Sequence, residues 1–90
     1  MPKHPEARAW ATSAEVAEAA GVTTVTVLDW AKRGVLPAYT VVHGGRRGRA
    51  ARWPLHAPAQ AAWVRDQLDG GLTFAEIAER LASGAFKPPT

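Results

Sequence analysis

The sequence predicts a mainly α-helical domain carrying one small two-stranded β-hairpin, in the order helix, helix, strand, strand, helix, helix. Two tetrapeptides, Thr12-Ser13-Ala14-Glu15 and Thr73-Phe74-Ala75-Glu76, have the helix-opening pattern in which a threonine oxygen accepts a backbone N–H while a glutamate reaches back to the threonine. Glycines at 21, 34, 70, 71 and 84 follow apolar stretches of helical spacing, where the left-handed backbone that ends a helix is needed. Between the second and third such stretches lies a β-branched and aromatic run, Tyr39-Thr40-Val41-Val42, followed by Gly44, Gly45 and Gly48. That composition predicts a strand and a tight turn.

The first helix follows Thr12 with Val16, Ala17 and Ala20 on one face, and Gly21 ends it. Thr23 is placed to cap a second helix over 23–33, with Val27, Trp30 and Ala31 inward and Gly34 closing it. Two short helices joined by a glycine-containing turn form a helix-turn-helix layout, and the small Ala17 and Ala20 allow the helices to cross closely. Ala51-Arg52-Trp53 is the returning strand, ended by Pro54. Pro58 suits the first turn of a third helix running to about residue 68, with Ala59, Ala62 and Trp63 expected inward. The fourth helix has Phe74, Ile77, Ala78 and Leu81 as its stripe. The expected organisation is a flexible arm at 1–11, a domain at 12–84 and a flexible tail at 85–90.

Ninety residues with 47% apolar side chains suffice for one small core. Many of those side chains are alanines, so the core leans on larger groups: Trp10, Trp30, Trp53, Trp63, Leu36, Leu55, Leu68, Leu72, Phe74, Ile77 and Leu81. No apolar run approaches the roughly 20 residues of a membrane span, and the polar, proline-broken start is unlike a secretory leader. With no cysteine, disulfides, thiol catalysis and thiolate metal sites are excluded. A cytoplasmic setting is the expectation. His4, His43 and His56 are scattered without ligand spacing, so no metal and no cofactor are expected. Ser13 and Ser83 sit at helix ends and no nucleotide-cradling loop occurs, so the chain is not expected to be an enzyme.

Charge is concentrated. Arg46, Arg47, Arg49 and Arg52 fall within seven residues at the hairpin, leaving seven of the eleven Lys/Arg against eight Asp/Glu elsewhere. A focused basic projection beside a helix pair, with a pI near 10, points to double-stranded DNA as the partner. Guanidinium groups suit a phosphate backbone or a narrow minor groove. On the second helix Thr24 and Thr26 can donate to phosphates or touch thymine methyls, while Thr23 serves as a cap. Lys32 and Arg33 have two available roles, DNA contact or complementing the helix dipole. Tyr39 can pack under the hairpin or offer its hydroxyl to a phosphate, and His43 is an auxiliary candidate. The candidate DNA-binding set is thus Thr24, Thr26, Lys32, Arg33, Tyr39, Arg46, Arg47, Arg49 and Arg52. Val25 and Leu28 share the outward face, and a protein-interaction adaptor or antirepressor using them is the alternative function.

The run TSAEVAEAAGVTTVTVLDWAKRGVLP resembles the opening of MerR-type winged helix-turn-helix domains: a capped helix, Gly-Val-Ser/Thr, then a recognition helix ending in aromatic-x-Lys/Arg-Arg-Gly before two apolar residues and a proline. Gly21, Val22, Thr23, Thr26, Trp30, Lys32, Arg33, Gly34, Leu36 and Pro37 stand in that register. HGGRRGR resembles the wing of short MerR-like proteins, including BldC-type regulators and phage excisionases, and GGLTFAEIAERL resembles the last helix of the domain. The likeness spans roughly residues 12 to 83. It implies a DNA-binding transcriptional regulator that docks helix 23–33 in the major groove and wing 43–52 on the backbone or minor groove. It also implies self-association on DNA. Leu28 and Asp29 depart from the pattern, which usually has arginine and then tyrosine or arginine there. No long dimerisation helix follows the domain in this chain, so no small-molecule effector is expected.

Overall fold

The computed structural model describes residues 9–43 and 49–88. Its elements are α1 (Ser13–Ala20), α2 (Thr24–Lys32), β1 (Thr40–His43), β2 (Arg49–Arg52), α3 (Ala57–Asp69) and α4 (Phe74–Ala82). The mainly helical architecture and its element order are those the sequence predicts. The strands pair antiparallel, with Thr40 opposite Arg52 and His43 opposite Arg49.

Both predicted capping boxes form. The Glu15 amide donates to Thr12 Oγ1 at 3.1 Å and the Thr12 amide to Glu15 Oε1 at 2.9 Å; Thr73 and Glu76 repeat the exchange at 3.1 and 2.8 Å. Thr23 caps α2 through the Thr26 amide at 3.2 Å. A glycine follows each helix of the helix-turn-helix. Gly21 (φ 69°) and Gly34 (φ 83°) are left-handed, which lets Val22 donate back to the Ala17 carbonyl and Val35 to that of Trp30. These back-bonds satisfy carbonyls that a helix end leaves free, and the second drives Val35 into the core, where it is fully buried.

The core joins α1, the inner side of α2, the end of the hairpin, α3 and, through Ile77, α4. Val16, Val27, Trp30, Val35, Leu36, Trp53, Ala57, Ala61, Val64 and Ile77 are buried. Each buried aliphatic side chain of this size contributes about 1.5–3 kcal/mol. Three long-range polar contacts lock the layers. Gln60 Nε2 donates to the Val35 carbonyl at 2.9 Å, Trp53 Nε1 to Ser13 Oγ at 2.8 Å, and Arg65 to the Ala20 carbonyl at the end of α1 at 3.2 Å.

The structure corrects the inward face expected for the third helix. Ala57, Gln60, Ala61 and Val64 are buried, whereas Ala59, Ala62 and Trp63 are only half-buried. Alanines at 57 and 61 let α1 approach α3 closely, which an indole could not. Trp63 instead packs against Phe86, with ring centroids 5.6 Å apart. Of the other expected core groups, Leu55 is 58% exposed and Trp10 half-buried. Ala11 is buried and bridged to Trp53, its amide donating to the Trp53 carbonyl at 2.8 Å and its carbonyl accepting from the Trp53 amide at 2.9 Å. Residue 11 is therefore tied to the hairpin end.

Candidate nucleic-acid interface

With Val27 and Trp30 in the core, the opposite side of α2 is turned outward. Helical geometry places positions 25, 28, 29 and 32 along that side. Thr24, Val25, Leu28, Asp29 and Lys32 are exposed there. Thr26 stands half-buried beside the cap, its hydroxyl 3.1 Å from that of Thr23.

Arg33 is engaged twice. Its Nε donates to Asp29 Oδ2 at 2.7 Å, and its guanidinium lies 4.6 Å from the centroid of Phe74. Both partners of this pair are about half exposed, so the attraction is worth only a few tenths of a kcal/mol. Its larger consequence is geometric: Asp29 draws Arg33 along the helix while Phe74 ties it to α4. The two charges cancel locally, leaving Lys32 as the cation of the outward face.

Strand alternation sorts the hairpin side chains onto two faces. Val41 and Ala51 form one register pair, and Thr40 and Arg52 the next, so Arg52 lies on the face opposite Val41. Tyr39 packs its ring on Trp53 at a centroid distance of 4.6 Å, the packing role of the two available to it. Arg52 spreads over Trp10, 3.9 Å from the ring centroid. Arg46, Arg47, and the side chains of His43 and Arg49, lie outside the described residues.

A shallow groove runs between α2 and the hairpin, lined by Ser13, Thr24, Leu28, Tyr39, Val41 and Ala51. None of these residues is charged. A second depression, beside Trp10, Thr12, Ser13 and Arg52, lies where Arg52 stacks. The structure thus brings Thr24 and Tyr39 to one groove, and sets Arg52 apart from it with Trp10. Ser13 and Trp10 were missed in the sequence, and only their tertiary neighbours, 40 or more residues away, identify them. Among the described residues no group of His, Asp or Glu could hold a metal ion, and no helix is long and apolar enough to cross a membrane.

Residues 11–84 match the family model described as MerR HTH family regulatory protein. No curated protein and no solved structure matches the chain significantly.

Proposed function

The chain belongs to the MerR helix-turn-helix regulatory family, a family of DNA-binding transcriptional regulators, and we propose that it binds duplex DNA with α2 in the major groove and its arginine wing on the backbone or minor groove. The carrying observation is the outward side of α2, exposed along its length and sharing a groove with the hairpin from which the arginines spring. A duplex major groove, about 12 Å wide, admits one such helix. The wing then reaches the flanking phosphates.

In this reading Arg46, Arg47 and Arg49 supply most of the affinity, and Lys32 adds a contact from α2. Thr24 and Thr26 approach the DNA at the start of α2, and Tyr39 supports the wing from beneath. Arg52 contributes from its seat on Trp10. Arg33 contributes least, because engaging a phosphate means sharing it with Asp29. Each neutralised phosphate releases condensed counterions, changing log K by about 0.9 per log unit of salt. Four to six contacts give a slope of about −4 to −5.

The test is titration of a labelled duplex with the full chain across a series of salt concentrations. Affinity that falls with salt along that slope supports the reading. Absence of binding at low salt, or binding indifferent to salt, overturns it.

A further inference from the structure

The part of α2 nearest the groove gathers large apolar side chains at the surface. Val25 is 74% exposed, Leu28 37%, and Val41 across the groove 39%. These are three of the four exposed large hydrophobic residues in the described chain; Leu55 is the fourth. Val25 and Leu28 are one helical turn apart, and Leu28 and Val41 line the same groove with Thr24. Next to them Asp29, the acidic group of this face, is held by Arg33 at 2.7 Å. The leading half of the face therefore presents methyl groups and one hydroxyl, with no amide or guanidinium to grip a purine edge.

The major-groove edges of the four bases include one apolar group, the C5 methyl of thymine. The surroundings favour duplex DNA as occupant. An uncharged strip bordered by Lys32 on one side, and by the hairpin whose connection carries Arg46 and Arg47 on the other, complements a groove floor bordered by two phosphate ridges.

We propose that Val25 and Leu28 read thymine by burying its methyl group, so that the chain selects sites by the position of thymines. The inference rests on the DNA-binding reading above and adds to it the basis of sequence choice. Burying one methyl-sized group is worth about fourfold in affinity. Two thymines read together give about 15-fold.

Random-sequence duplex is first titrated at low salt with the full chain. No binding there removes the DNA reading and this inference together. Given binding, a duplex enriched from a randomised pool is resynthesised with 2′-deoxyuridine in place of thymidine, one position at a time. This deletes a methyl and leaves phosphates and hydrogen-bonding edges unchanged. The expected result is about fourfold weaker binding at one or two positions, with an unchanged salt slope. Val25→Ala and Leu28→Ala, which withdraw the γ- and δ-methyls and open a gap over the thymine, should erase the difference, and Val25→Thr, which keeps a γ-methyl, should retain it. The wing variant Arg46→Ala/Arg47→Ala should weaken both duplexes equally and preserve their ratio. Equal affinity for thymidine and deoxyuridine duplexes at every position overturns the inference while leaving DNA binding intact. So does failure of any duplex to enrich, or discrimination that survives in Val25→Ala/Leu28→Ala. An apolar face kept for a protein partner would give that same equality.

Discussion

The two sides of α2 are built on opposite rules. On the inner side every buried polar side-chain atom among the described residues has a partner, and apolar groups are fully enclosed. On the outer side apolar groups stand in the open, and the charges of Asp29 and Arg33 are spent on each other. The exposed area of Val25 and Leu28 contributes nothing to folding, since stabilisation comes from area removed from water. The inner side accounts for stability. The outer side is left with features that folding alone does not explain, and those are where function is sought. The comparison also separates two kinds of binding element: the hairpin concentrates charge, while the α2 face carries shape and methyl groups.

That separation can be broken by mutation. The largest effect is expected from Arg46→Ala/Arg47→Ala/Arg49→Ala. Removing three phosphate contacts lowers duplex affinity by roughly 10²–10³-fold at 0.1 M salt and flattens the salt slope by about 2.7. Titrations at two salt concentrations measure both. Thermal unfolding should change little, because the buried core is built from other residues. If affinity survived, α2 and not the hairpin would carry binding.

The inner side is probed by Gln60→Leu. Gln60 is 8% exposed and satisfies the Val35 carbonyl. Leucine fits the space but leaves that carbonyl unpaired, at a cost of about 1–3 kcal/mol. For a domain this small each kcal/mol lowers Tm by about 4–8 °C. DNA affinity measured well below the new midpoint should be nearly unchanged, because Gln60 is buried and presents no surface to DNA. A stable variant with altered affinity would show that the two sides are coupled.

The smallest effect is expected from Asp29→Asn. The substitution removes an acidic group from the face proposed to meet phosphates and weakens the 2.7 Å bond that holds Arg33 by taking away its charge assistance. Affinity should rise several-fold, and the salt slope should steepen by up to about 0.9 if Arg33 takes up a phosphate. Stability should fall by no more than about 0.5 kcal/mol, the scale of a surface i,i+4 pair. Unchanged or weaker binding would place Asp29 away from the DNA backbone, and would return Arg33 to a purely structural role between α2 and α4.

Much of the fold follows from local chemistry and was legible in the chain. Capping boxes, glycine-terminated helices and the inward stripes of α1 and α2 depend on residues within about one turn of each other, so their spacing encodes them. The family likeness had the same origin, since its markers lie in the Gly-Val-Thr turn and the Lys-Arg-Gly helix end. The candidate site was legible in its residue types but not in their engagements. Two contacts escaped: Arg33 reaching from α2 to Phe74, and Arg52 resting on Trp10. Each joins residues about 40 apart, and nothing in the local pattern marks the partner.

The face of α3 was misread for the same reason. Sequence favours Ala59, Ala62 and the bulky Trp63 as the inward face. Tertiary packing reverses this, because close approach of α1 demands the alanines at 57 and 61, and that rotation carries Gln60 inward to a waiting carbonyl. The sequence by itself determined which segments are helical, where they stop and where positive charge gathers, because those are properties of neighbouring residues. Only the tertiary structure decided which polar groups are consumed in holding the layers together, and which face of α3 meets the core. That choice turns on contacts across the fold and on the volume available between helices.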